Sequence, residues 1–516
     1  MRILRAAVAR HGLAVATSAA ILGAAILHLG CWLWIGLDRD DAGHLESTFV
    51  LPVARQVRDG FGVLYGPYSG ANPLVMIHAP LYYRLAALSA YLVMALRLDA
   101  ESAALVVGRL LSLLATLGLF AMADRLACLD GAPRRAGLWA AALIAASPVL
   151  GCLAVMVRPD TLGTFLQTAG ALLTLRALRD GACTARRLAV AYLAFGLALC
   201  VKQHDGVVLA VTSLILLGAY LAGQARFGPV AMAHFVGLGV VGLYYGAEHL
   251  LTDGLTSRTV FVLPSGAFRT INRGAWPHVL EVGQMIARKS LGLIALGAAC
   301  GALALMRGTL RRLDALLLAY LVAEVASLVP LCYYNSGAAD NYALQAIVFA
   351  SVLIGRALER LFSGEARVLH LLPVGAAALL LLAADSRQVG RLVSHRRADR
   401  AAVGALLAAP EVAGCPAEER YFTVDQRLNR LHGRRDLVHD EMLYTAYELA
   451  DAAEPRARWL RAVLLRSVRQ VIVPDDAPTV PGVAETLPEL GYARTGQHGE
   501  YRVWERRRNM LTAGVR

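Results

Sequence analysis

Apolar and polar positions alternate along this chain in long blocks. Apolar runs of about 16 to 24 residues, each long enough to span hydrocarbon, recur between Leu13 and Ala384. The first, Leu13–Leu37, follows a basic Met1–Arg10 segment. It is too long for a cleaved signal core and reads as a retained signal-anchor helix. Further runs cover Ala103–Ala123, Gly137–Val157, Thr161–Leu178, Leu188–Val201, Val207–Ala222 and Val230–Leu250. Four more follow at Leu291–Met306, Ala315–Leu331, Ala343–Leu361 and Val368–Ala384. One shorter run, Pro80–Leu96, is ambiguous by pattern alone.

Charge resolves it. Arg134, Arg135, Arg176, Arg179, Arg186, Arg187, Arg226, Arg307, Arg311, Arg312, Arg356 and Arg360 lie in the turns between runs. If Pro80–Leu96 only half-inserts, all of them fall on the cytoplasmic side with the N-terminus, as the positive-inside bias requires. The pattern thus predicts an α-helical polytopic membrane protein with about 11 transmembrane helices and a half-inserted helix. Residues 1–385 form the membrane domain. From about Ser386 the runs stop, and short β-like strings appear at Tyr421–Val424, Val471–Val473 and Tyr501–Trp504 beside helical patterns such as Leu443–Ala453. Residues 386–516 therefore read as a small extracytoplasmic α/β domain.

Composition agrees: 57% of the 516 residues are hydrophobic and 17% are charged, unlike an ordinary soluble protein. The net charge of +13 follows from topology and does not call for nucleic acid. The 8 cysteines are scattered without CxxC or metal-type spacing, which argues against a zinc site or a disulfide framework.

With this topology the polar motifs share the outer face. Asp40, Asp41 and His44 follow the first helix inside a long outer segment, Asp38–Ala79. Carboxylates beside a bilayer are costly and usually functional. One of the pair can act as general base while the other orients a basic group or a metal, and His44 can position phosphate or acceptor. Arg158-Pro159-Asp160 opens a later helix, with a plain helix cap as the bland reading. Lys202-Gln203-His204-Asp205 interrupts two apolar runs. Lys202 suits an anion, and interfacial snorkelling is its alternative. Arg258, Arg269 and Arg273 in the Thr252–Lys289 loop are secondary phosphate candidates. His78-Ala79-Pro80-Leu81-Tyr82-Tyr83 fits an aromatic belt, and the turn through Asn341-Tyr342 can touch a sugar. Gly237-Leu238-Gly239-Val240-Val241-Gly242 matches GxGxxG, but it lies in a hydrophobic helix without a preceding strand. Close helix packing is the better explanation.

These residues, in this order, resemble the GT-C superfamily of membrane glycosyltransferases, in particular the protein O-mannosyltransferase and aminoarabinose-transferase type. The resemblance is carried by the acidic pair Asp40-Asp41, the string His78-Ala79-Pro80-Leu81-Tyr82-Tyr83, Arg158-Pro159-Asp160, Lys202-Gln203-His204 and Gly337 through Asn341-Tyr342. Asp-Asp stands where Asp-Glu is frequent, and Ala79 replaces a proline. The resemblance implies inverting transfer of a sugar from a polyprenyl-phosphate donor to a lipid, glycan or protein acceptor outside the cytoplasm. Asp40, Asp41 and Asp160 are the expected catalytic residues. His44, His78, Tyr82, Arg158, Lys202, His204, Asn341 and Tyr342 are the expected substrate contacts. The resemblance gives no certain cofactor and leaves a divalent metal open. The implied location is a bacterial inner membrane with the site facing the periplasm. A transporter or a lipid- or glycan-binding protein would share this topology, but such proteins concentrate polar groups or broken helices near the midplane, often in repeated halves. Here Glu324 is the main mid-helix charge.

Overall fold

The computed structural model describes residues 19, 21–23, 25–27, 29–30, 33, 44–60, 79–202, 206–257, 260–261, 275–306, 311–334, 340–362, 401–413, 420–423, 468–474, 487–488, 491–498 and 501–506. Described positions from 19 to 33 are helical. Then come α1 (His44–Asp59), α2 (Leu81–Val93), α3 (Ala100–Ala127), α4 (Arg134–Ala145), α5 (Pro148–Leu153), α6 (Asp160–Arg179), α7 (Ala185–Val201), α8 (Val207–Leu221) and α9 (Phe227–Leu251). After them come α10 (Ala275–Lys289), α11 (Leu291–Met306), α12 (Arg312–Tyr334) and α13 (Leu344–Phe362). Among the described residues, four helices are long and apolar enough to cross a bilayer, and the bent pair formed by α10 and α11 makes a fifth if taken as one broken span. Apolar side chains face outward along these helices. Phe235 is 75% exposed and Leu243 78%, the surface expected where lipid replaces water as solvent.

Two elements differ from the hydropathy pattern. The run Gly137–Val157 is broken: α4 stops at Ala145, Ser147 is extended, and Pro148 starts the short α5. A proline biases the residue before it away from helix and suits a first helical turn itself. The Thr252–Lys289 loop contains a regular helix, α10, whose strongly amphipathic face is too polar for a hydropathy window.

Contacts group the chain into two units. The first comprises Met1–Leu37, Gly108–Gly246 and Gly274–Arg391. Its helices approach closely where a side chain is missing. A Cβ on Gly196 would lie 2.8 Å from the Gly237 carbonyl, and one on Gly355 2.4 Å from the Ala136 carbonyl. Gly237 of the GxGxxG match is therefore a packing glycine between α7 and α9.

Polar staples close the arginine-bearing ends of these helices. Arg356 of α13 is 2% exposed. It donates to Asp314 Oδ1 of α12 at 2.6 Å, to the Ala127 carbonyl at 2.6 Å and to Asp130 Oδ2 at 2.9 Å. Arg360 donates to the second Asp314 oxygen, and Arg179 at the end of α6 to the Leu129 carbonyl. A buried guanidinium is tolerable only with its donors and charge engaged.

The second unit comprises Asp38–Val107, Ala247–Arg273 and Leu392–Arg516. In it Arg84 of α2 grips Glu248 through two bonds, Nε to Oε1 at 3.0 Å and a terminal nitrogen to Oε2 at 2.9 Å. Its other terminal nitrogen donates to Gln56 Oε1 of α1 at 3.0 Å. This planar fork ties α1, just downstream of Asp40-Asp41 in sequence, to α2 and to the end of α9. The unit also holds a four-stranded sheet of β1 (Arg420–Thr423), β2 (Val468–Pro474), β3 (Tyr492–His498) and β4 (Tyr501–Arg506) in the order β1-β2-β4-β3. The β1–β2 pair is parallel and the others are antiparallel. Val403, Leu406 and Val412 from a helical segment pack on Ile472, Tyr501 and Val503 of the sheet, the expected outcome for strands with one apolar face.

Replacing Arg356 leaves Asp314 and Asp130 without their shared cation. Arg356→Ala is expected to cost about 3–5 kcal/mol, read as a lower unfolding temperature in detergent. An unchanged transition would show that the staple carries no stability.

Candidate active site

The site is built on the N-terminus of α6, where the chain returns after α5. Residues 154–159 form the connection, and Ser112 Oγ of α3 donates to the Arg158 carbonyl at 3.2 Å. Pro159 precedes α6 without a side-chain cap, and Asp160 begins the helix. The helix-cap reading of Asp160 therefore fails, because the side chain points into a network of other side chains. Lys202 Nζ donates to its Oδ1 at 2.9 Å and Asn341 Nδ2 to the same oxygen at 2.6 Å. Arg158 Nε donates to Oδ2 at 2.8 Å. Asp160 is 2% exposed.

Burial alone raises the carboxyl pKa. The Arg158 and Lys202 charges and the Asn341 hydrogen bond outweigh it and hold Asp160 well below the usual carboxylate range. Such a carboxylate is a permanent anion with both oxygens engaged. It positions cations and is a poor proton acceptor. Arg158 and Lys202 thus share one carboxylate, which gathers two cationic side chains at one point of the site.

Lys202 is held from a second side. Its Nζ lies 4.5 Å from the centroid of the Tyr342 ring, a cation–π contact. Lys202 thus does not snorkel: it caps α7 in an extended conformation and turns inward to Asp160. Asn341 and Tyr342 sit in a short 3-10 turn (Asp340–Ala343) just before α13. A small cavity of about 20 Å³ opens beside them, bordered by Thr164, Gln167, Lys202, Glu324, Tyr342 and Gln345 among others.

Of the residues expected from sequence, Asp160, Arg158, Lys202, Asn341 and Tyr342 converge here. Tyr82 belongs to the second unit, where it is fully buried with its ring edge on Tyr83 at 5.8 Å. It is a core residue there, and the aromatic-belt reading of this pair does not hold. His44 starts α1. Asp40, Asp41, His78, His204, Arg258, Arg269 and Arg273 lie outside the described residues. Among the described residues no three His, Cys, Asp or Glu side chains gather as a metal site.

Gln167 and Gln345 escaped the sequence reading. A signal existed: Asp160, Thr164, Gln167 and Thr168 recur at i, i+4, i+7 and i+8, one helical face, inside a run whose average is apolar. All four are buried.

Residues 78–245 match the family model described as dolichyl-phosphate-mannose-protein mannosyltransferase. No curated protein matches the sequence. Among solved structures, ArnT from Cupriavidus metallidurans bound to undecaprenyl phosphate is similar, with a TM-score of 0.59 at 14% identity, over 93% of this chain and 97% of that one. Its apo form gives 0.56 at 13% identity, over 95% and 98% of the two chains. The archaeal oligosaccharyltransferase AglB from Archaeoglobus fulgidus, in complex with an inhibitory peptide and a dolichol-phosphate, gives 0.57 at 12% identity, over 96% of this chain and 75% of that one.

The depressed Asp160 pKa fixes the sign of its pH effect. Its contribution to stability is complete above the unfolded carboxylate value of about 3.9 and is lost only as pH falls through the lower folded value. The difference in unfolding temperature between wild type and Asp160→Asn is therefore expected to stay constant from about pH 8 to about pH 5. A difference that shrinks across that window would mean that Asp160 titrates there. What the chain shares with these proteins is the family match over residues 78–245 and the fold of ArnT and AglB.

Proposed function

We propose that the protein transfers a sugar, with inversion, from a polyprenyl-phosphate carrier to a hydroxyl acceptor on the extracytoplasmic side of the membrane. The observation that carries this reading is the buried Arg158–Asp160–Lys202–Asn341 network, which gathers two cationic side chains and an aromatic ring at one end of the helices. The relatives in hand were solved with undecaprenyl phosphate or dolichol-phosphate, lipids whose phosphate needs such a counter-charge.

The chemistry follows from a donor that is already activated. The acceptor oxygen attacks the anomeric carbon, and the bond from that carbon to the phosphate oxygen breaks. The electron pair leaves with the polyprenyl phosphate, and the acceptor proton passes to Asp40. Lys202 and Arg158 stabilise the charge growing on the leaving phosphate, which is larger in the transition state than in the donor. Asp160 holds both cations in place. Asp41 and His44 position the acceptor or a cation, and His78 and His204 contact the substrate. If a divalent metal binds, the Asp40-Asp41 pair is its natural holder.

Topology supports the sidedness. Helix α6 runs about 30 Å from Asp160 to the arginine-rich turn at Arg176 and Arg179, the thickness of a hydrocarbon core. Helix α13 likewise runs from Asn341-Tyr342 to Arg356 and Arg360, and α12 from Arg312 to Tyr334. The arginine ends face the cytoplasm by the positive-inside rule, which turns the site to the periplasm of a bacterial inner membrane. About 11 crossings, a half-inserted α2 and a trailing extracytoplasmic α/β domain complete the architecture. The 13 residues of α2 extend only about 20 Å, short of a full crossing.

Membranes containing the protein are to be given polyprenyl-phosphate-linked mannose, glucose or galactose with radiolabel in the sugar, together with envelope lipid, glycan and protein fractions. Wild type is expected to move label to one acceptor class, and Asp40→Asn to lose at least about 100-fold in rate. Wild-type turnover in Asp40→Asn would remove Asp40 as base. Solute movement into vesicles without covalent transfer would replace the enzyme reading with a transporter.

A further inference from the structure

The cavity beside Lys202 has a chemical polarity that the phosphate network does not use. Its border includes Thr164 and Gln167 of α6, Glu324 of α12, and Asn341 and Gln345 at the start of α13. Asn341 and Gln345 are 7% and 6% exposed, and each keeps a side-chain carbonyl oxygen that is buried without a hydrogen-bond partner among the described residues.

The orientation of both amides is dictated by their neighbours. An ionised carboxylate only accepts hydrogen bonds, so Asn341 must turn its NH2 to Asp160, at 2.6 Å. Its carbonyl is then the end left over. Thr168 spends its single hydroxyl hydrogen on the Thr164 carbonyl at 2.8 Å. It can only accept from Gln345, whose Nε2 stands 3.1 Å away. The Gln345 carbonyl is left over in the same way. With Glu324 nearby, this wall is rich in acceptors, and Lys202 is the cation at its edge.

We infer that this cavity reads the donor sugar, with the Gln345 carbonyl accepting the single hydrogen of one of its hydroxyl groups while Lys202 meets the phosphate. The inference rests on the glycosyl-transfer reading and adds to it a specificity-determining site. A volume of about 20 Å³ has room for a hydroxyl-sized group. A hydroxyl supplies the donor that the buried Gln345 carbonyl lacks, and the sugar is covalently attached to the phosphate that Lys202 attracts. Buried acceptors built for a hydroxyl discriminate strongly, because an analogue without it leaves them unpaired.

The test is a substrate–residue cycle. Wild type and Gln345→Leu are assayed with whichever of polyprenyl-phosphate mannose, glucose or galactose wild type turns over, and with each of its monodeoxy analogues. Wild type is expected to lose at least about 100-fold in kcat/KM with one analogue. In Gln345→Leu the parent donor slows and the penalty for that same analogue shrinks to within about threefold, while binding of bare polyprenyl phosphate is kept. Monodeoxy analogues all within about threefold of the parent in wild type, or a penalty undiminished in Gln345→Leu, overturn the inference and leave glycosyl transfer standing. Transfer from none of the donors overturns the parent reading and the inference with it. If Gln345→Leu does not fold, the wild-type analogue series and Gln345→Met decide by the same criteria.

Discussion

A carboxylate buried at the mouth of a membrane helix is the constraint around which the first unit is arranged. Asp160 cannot stay ionised there without donors, and its donors arrive from three separate places: Arg158 beside it, Lys202 at the end of α7, and Asn341 before α13. Each contact fixes the end of a different helix. Removing the charge would free Lys202 and Arg158 from their common anchor, so the same interaction that closes the fold also aims the cations. Structure and chemistry are here one network.

The helices themselves are polar at both ends in different ways. At one end Arg356, Arg360 and Arg179 are saturated by Asp314, Asp130 and backbone carbonyls. Those staples consume their donors within the protein. At the other end Arg158 and Lys202 share the Asp160 carboxylate beside a cavity.

Much of this was legible in the sequence. The helices over Thr161–Leu178, Leu188–Val201 and Leu291–Met306 follow their apolar runs closely, the β-like strings Val471–Val473 and Tyr501–Trp504 fall inside β2 and β4, and Tyr421–Val424 overlaps β1. Arg158, Asp160, Lys202, Asn341 and Tyr342 were recognisable because each interrupts an apolar block. Other features were hidden for physical reasons. A proline break at Ser147-Pro148 has no hydropathy signature, so α4 and α5 read as one run. Gln167 and Gln345 are polar residues averaged away by apolar neighbours. The Arg84–Glu248–Gln56 clamp joins residues 164 and 28 positions apart, and no local pattern announces such a pairing.

The account depends on Lys202 holding a lipid phosphate from its place on Asp160. Equilibrium binding of undecaprenyl phosphate and of neutral undecaprenol to detergent-solubilised wild type and Lys202→Met addresses it most directly. The predicted result is a loss of at least about tenfold in affinity for the phosphate, about 1.4 kcal/mol, with undecaprenol binding unchanged. Equal affinity of both proteins for the phosphate would contradict the account.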